Sequence, residues 1–193
     1  MKKIETFNKE ISYLKNDDFK SDLEYLIDKL PDYFFEIPAS STGKYHPEYA
    51  TGDGGLVRHT KVVARLAHEL LENPSIGGKY TKDERDLMII ACILHDGFKS
   101  GKVKEQYTRF DHPIICAEFI REEKDNLKMS EDNAELIASC IETHMGPWTT
   151  DYDGNEVLNP PKTKYQNFVH MCDYLASRKF LIVKFDEKNN IID

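Results

Sequence analysis

Residues 81–96 read TKDERDLMIIACILHD, and the fold turns on how this stretch is read. Thr81-Lys82-Asp83-Glu84 is a capping box, in which a hydroxyl and a carboxylate three residues apart satisfy the free amides of a first helical turn. Leu87, Ile90, Ala91 and Leu94 then recur at spacings of three and four, which places them on one helical face directed at a core. The stripe ends on His95-Asp96, and Gly97 stops the helix. A carboxylate and an imidazole on a buried face are costly unless they are paired or bind a metal ion.

The same departure recurs outward from this helix. His59 continues the stripe Val63, Leu66, Leu70; His112 leads Cys116 and Phe119; His144 closes Ile137, Cys140, Ile141; Asp173 lies between Val169 and Ala176. We read His59, His95, Asp96, His112, His144 and Asp173 as one metal site assembled from separate helices. Nitrogen and carboxylate donors without thiolates favour Mn, Fe, Co, Ni or Zn over Ca. Six ligands are too many for one catalytic ion that keeps an open position, but they suit two divalent ions sharing a carboxylate. Asp96, adjacent to His95 and with two oxygens, is the natural bridge. Two ions about 3.5–4 Å apart lower the pKa of a shared water and clamp the oxygens of a phosphoryl group, which is hydrolysis chemistry.

Further helices are expected at 19–30, ended by Pro31, and at 56–72, followed by Asn73-Pro74. One more opens at Asp111, with Pro113 in its first turn, and reaches about Lys124. Another starts at Ser130 and ends at His144 before Gly146-Pro147, and the last starts from a second capping box, Thr163 to Gln166, and reaches Lys179. Residues 180–185 read as a short strand or an extended tail. Hairpin signals and internal repeats are absent, so the expected fold is all-α, a helical bundle with the metal site between helices. The 193 residues fit a single domain, with a core of about 37–180, an N-terminal helical extension 1–36 and a short tail 181–193. The loops 37–55 and 145–162 are long enough to have a use, and both adjoin expected ligands.

No apolar run approaches the length of a membrane span, and Glu5 and Glu10 interrupt the N-terminus before any signal-peptide core, so a cytoplasmic location is expected. Cys92, Cys116, Cys140 and Cys172 fall in apolar helical patterns and read as buried thiols of a reducing compartment. The net charge of −8 argues against broad nucleic-acid binding. Between Lys99 and Arg109, however, Lys99, Lys102, Lys104 and Arg109 face a single Glu105. This stretch reads equally as a guide for an anionic substrate or as a solvated basic loop.

The order His59, His95-Asp96, Asp173 resembles the HD superfamily of metal-dependent phosphohydrolases, and the helix ending ILHDGFK, residues 93–99, looks like that family's second motif. The resemblance implies that the first His, the His-Asp pair and the distant Asp hold one metal. His112 and His144 fill the positions that build a second site in the binuclear branch, with Asp96 as bridge. It spans about residues 37–180, and GGLVRHT (54–60) and CDYLASRK (172–179) are similar to the HD domain of bacterial 3′-5′ exoribonucleases. The chain departs from the HD-GYP cyclic-di-GMP phosphodiesterases, because the GYP motif is absent and Met145 follows His144. It also carries no separate OB domain of the exoribonuclease kind. Lys99 matches the lysine of the family's HDxxK variant, where it resembles a substrate-phosphate contact.

The implied function is a metal-dependent phosphohydrolase. A phosphodiesterase cleaving a nucleotide or short oligonucleotide is the leading expectation, with Asp96 and Lys99 as catalytic residues. The alternatives are a nucleotide phosphomonoesterase, a mixed-valent diiron oxygenase on the same fold, and a non-catalytic nucleotide sensor. Four-ligand monoesterases are common in the family, so His112 and His144 favour diesters. Lys99, His46, Lys102, Arg109 and Trp148 are candidate substrate contacts. His46 is equally an exposed loop residue, and Trp148 is somewhat better read as covering the core. His68 reads as solvent-exposed. His170 reads as a helix-surface residue, with a supporting role behind a ligand as the alternative. Arg58 is expected to pair with Asp53 or an acidic helix face.

Overall fold

The computed structural model describes residues 3–44 and 46–192. Met1, Lys2, Tyr45 and Asp193, at the ends of the expected extension and tail and within the first long loop, lie outside the described residues. The fold is all-α. Its helices are α1 (Asn8–Ile11), α2 (Asp17–Lys29), α3 (Gly55–Glu72), α4 (Pro74–Gly77), α5 (Lys82–Leu94), α6 (His112–Glu123), α7 (Glu131–Glu142) and α8 (Lys164–Ala176). Short 3-10 turns at Lys3–Phe7, Asp32–Phe35, Glu48–Ala50 and Lys124–Asn126 join them. Of the two readings for 180–185, the extended tail is the one seen and no strand forms. Phe180 and Ile182 are exposed, and Phe185 makes only an isolated bridge to Ile191. No helix among the described residues is long and apolar enough to cross a membrane.

Helix α5 is the axis of the bundle. Both halves of its capping box form, with Thr81 N donating to Glu84 and Glu84 N donating to the Thr81 hydroxyl. Every residue from Asp86 to Leu94 is buried, since a helix apolar on nearly all sides is stable only when surrounded. α3, α7, α8 and α2 pack around it, and α6 lies along α7. Asn73 begins α4 and Thr163 begins α8 by accepting backbone amides. Asn16 does the same for α2, which starts two residues earlier than expected.

The N-terminal residues belong to the same core. Phe7, Leu14, Leu23, Leu26, Ile27, Leu30 and Phe34 are buried within the single hydrophobic cluster. Two buried carboxylates fix this segment: Asp22 on α2 accepts the amides of Lys128 and Met129, and Asp86 on α5 accepts those of Lys15 and Asn16. His68, expected to be solvent-exposed, is half-buried. Its ring stacks on Tyr13 at 4.1 Å. Arg58 ties the loop to the tail, donating to the carbonyls of Tyr49, Thr51 and Asp53 and to Asn189, so it meets Asp53 through the main chain and not the carboxylate. α3 begins at Gly55, where only a glycine fits, since a Cβ there would lie 2.4 Å from the Ala50 carbonyl oxygen.

Candidate metal centre

Three histidines are oriented by the main chain one turn behind them. Nδ1 of His95, His112 and His144 lies 2.8, 2.7 and 2.7 Å from the carbonyls of Cys92, Arg109 and Ile141. A carbonyl only accepts, so each Nδ1 carries the proton, and each Nε2 of a neutral ring presents a lone pair. The local cause is plain for His95 and His144. They sit just past the ends of α5 and α7, where an Nδ1–H reaches a carbonyl of the last turn. Both helix ends also direct the negative pole of their dipole toward the site.

The six residues read from the sequence come together. Asp96 stands between two sets: its Oδ2 lies 3.3 Å from His95 Nε2 and 4.0 Å from His59 Nε2, while its Oδ1 lies 3.0 Å from His112 Nε2 and 3.5 Å from His144 Nε2. Asp173 closes the first set, 2.9 Å from His59 and 3.6 Å from His95. In the second set His112 Nε2 faces His144 Nε2 at 3.3 Å. With both Nδ1–H groups turned to carbonyls, neutral rings in that set face each other and Asp96 as acceptors. His95 Nε2, Asp96 Oδ1 and His59 Nδ1 are buried without a hydrogen-bond partner. His59, His95 and Asp173 form one group able to hold a metal ion, and His95, Asp96 and His144 another.

The electrostatics follow from burial and close charges. Burial alone would raise Asp96, but Lys99 and His95 hold it well below the usual carboxylate range. Burial would likewise raise Asp173, and bonding to His59 and His95 holds it well below. Burial works against protonation of His95 too, yet the Asp96 and Asp173 carboxylates keep its pKa well above the usual imidazole value. His59 and His112 are pushed down by burial.

The other candidates divide. Lys99 is 8% exposed and ion-paired with Asp96, so it is no surface lysine. His46 is not an exposed loop residue. Its ring meets His59 edge-on at 4.8 Å, and burial and the neighbouring His59 push its pKa down to about 3. Lys102 and Arg109 are not brought to the ligands: Lys102 pairs with Glu122 at 2.9 Å, and Arg109 with Asp111 and Glu105. The basic stretch is therefore largely neutralised by acids, and Arg109 serves the centre through its carbonyl alone. Trp148 does not cover the core. It is 51% exposed and leans against His170 and Tyr174. The four cysteines are free and buried, as expected.

His170 has the supporting role, its Nδ1 donating to the His144 carbonyl at 2.7 Å. The signal was its position three residues before Asp173, on the same face of α8. Gly146 makes room for that ring. It has φ +69°, and a Cβ would lie 2.1 Å from the imidazole.

A family model described as HD domain matches residues 56–178. That span starts with the first turns of α3 and ends just after α8, so it contains all six converging residues. No curated protein and no solved structure matches the chain.

Proposed function

Because the chain belongs to the HD domain family of metal-dependent phosphohydrolases, we propose that it is a phosphodiesterase for a nucleotide or short oligonucleotide, working with two divalent ions. His59, His95, Asp96, His112, His144 and Asp173 would hold them, with Asp96 between the two. The observation that carries this reading is the second set: His112 Nε2, His144 Nε2 and Asp96 Oδ1 lie within 3.5 Å of one another, while the Nδ1 of each ring is turned to a carbonyl. Neutral rings there turn two nitrogen lone pairs toward a carboxylate oxygen, a donor set that a divalent cation fits, and burial disfavours protonation of His112. The donor set and the partnerless atoms of both sets fit such ions.

When bound, two ions supply a nucleophilic water near neutral pH and offset the charge on phosphoryl oxygens. The rest of the work falls to the side chains. Lys99, held by Asp96 in a buried position, offers a fixed positive charge to the phosphoryl group. His46 stays neutral at physiological pH, so it contributes a hydrogen-bonding ring at the edge of the site and not an acid proton. His170 fixes the main chain of His144, and Gly146 admits its ring. Histidines facing both oxygens of Asp96 support two ions over one, since a site limited to His59, His95, Asp96 and Asp173 would leave Oδ1 idle, and the resemblance to the binuclear branch in turn favours the diester.

The test is Mn-dependent hydrolysis of bis-p-nitrophenyl phosphate beside p-nitrophenyl phosphate, for the intact protein, Asp96→Ala and a chelated sample. Diester cleavage that disappears in both controls is expected. Cleavage of the monoester alone would assign a phosphomonoesterase. Oxygen uptake by an iron-loaded sample without phosphate ester cleavage would assign an oxygenase.

A further inference from the structure

We propose that Trp148 is a stacking platform for a nucleobase, so that the substrate of this centre is a nucleobase-bearing phosphate and not a sugar phosphate. The inference rests on the phosphohydrolase reading above and adds the part of the substrate that the metal ligands do not read.

Trp148 is the one tryptophan of the chain and is 51% exposed, although an indole left in water forfeits the large burial that makes this residue favour cores and interfaces. Its ring is nonetheless held in place. It stacks on Tyr174 with centroids 6.0 Å apart and planes 16° from parallel, and it meets the edge of His170 at 6.1 Å. Tyr174 is itself 37% exposed and carries the Arg178 guanidinium 4.0 Å from its ring centre. Arg178 is fixed in turn by donating to the Tyr174 carbonyl and the Ser177 hydroxyl. An aromatic surface that is pre-positioned yet open is what base stacking requires, because little side-chain freedom is lost on binding.

The platform is tied to the centre by three links. Tyr174 follows Asp173 directly. His170, which the indole touches, donates to the carbonyl of His144. Trp148 itself lies four residues beyond His144, a span of at most about 14 Å when extended. The turn at Gly146, whose amide donates to the Thr143 carbonyl, shortens it. Every base has a π-face, so such a platform separates nucleotides from sugar phosphates and tolerates different bases.

As the sole tryptophan, Trp148 reports on itself. The Mn-loaded protein is titrated with AMP, CMP or ribose 5-phosphate while tryptophan emission is followed. Saturable quenching by both nucleotides and none by ribose 5-phosphate is expected. In turnover of a dinucleotide, Trp148→Ala is expected to raise KM about tenfold and leave kcat within about twofold, with Trp148→Phe retaining most of the affinity. The inference is overturned if neither nucleotide changes the emission, or if Trp148→Ala leaves KM unchanged. It is also overturned if emission follows protein concentration alone, which would make the indole an interface between copies. Failure of the phosphohydrolase reading is distinguishable, because it abolishes turnover while quenching remains directly readable.

Discussion

At the scale of the residue, the tautomers decide the chemistry. A histidine whose Nδ1–H is spent on a carbonyl can use only Nε2 at the site, and His95, His112 and His144 share that arrangement. Asp96 then divides its two oxygens between the sets, so its loss should affect both. Asp96→Ala is expected to bind neither ion, whereas His112→Ala is expected to lose only the ion on the Oδ1 side, as read by metal content per chain after gel filtration. Two tightly held ions in Asp96→Ala would remove Asp96 from the bridging position. These six residues were legible because polar side chains interrupted apolar stripes of helical period. Lys102 and Arg109 were not, because a count of charges within one stretch cannot see acids that the fold brings from outside it or turns against it, such as Glu122 and Asp111. His46 lies in a loop, where no periodicity tells a buried residue from an exposed one.

At the scale of the element, α5 carries both the fold and the centre, and its start is tied to α8. Glu84 closes the capping box of α5 and also accepts the Tyr165 hydroxyl from α8. Burial would raise its pKa, but the bonds from Tyr165 and Thr81 outweigh that and hold it below the ordinary glutamate value of 4.5. A depressed carboxylate takes up its proton at lower pH in the folded chain than in the unfolded one. Its stabilisation is therefore complete above about pH 4.5 and is lost as the pH falls below it. Glu84→Gln keeps an oxygen for the Thr81 amide but cannot titrate. It is expected to cost about 1 kcal/mol at pH 7 and less at pH 3.5, so that the urea midpoints of variant and parent approach each other in acid. Midpoints that stay equally separated at both pH values would show that the Glu84 charge does not stabilise this junction. The two capping boxes were readable from four-residue signatures. The bounds of α7 and α8 fell short of expectation by two and three residues, because His144 and Arg178 act in the turns beyond the helices and not within them.

At the scale of the whole molecule, the two ends of the chain meet behind the first ligand. Lys61, two residues after His59, is 1% exposed; its Nζ lies 3.0 Å from Asn190 of the tail and 3.8 Å from Glu10 of α1, which is equally buried. Phe7 packs its ring under the same ammonium. The N-terminal contribution was legible only in part, since Ile4, Phe7, Ile11 and Leu14 carry helical spacing in a run too short and too charged to stand out from 1–16. The partner of Lys61 was not legible at all, because Glu10 and Lys61 are fifty-one positions apart in sequence. Burial raises the pKa of Glu10 and lowers that of Lys61, so each group is tolerated in the core through the other. Removing one leaves the second buried without its countercharge, whereas replacing both with apolar side chains removes the problem. Glu10→Ala is accordingly expected to cost about 3 kcal/mol in urea unfolding, and the double variant Glu10→Met with Lys61→Met less than either single change. If the costs of the single changes simply add in the double variant, the two side chains do not act as a pair. The joining of both chain ends to α3 would then rest on Phe7, Arg58 and the apolar contacts alone.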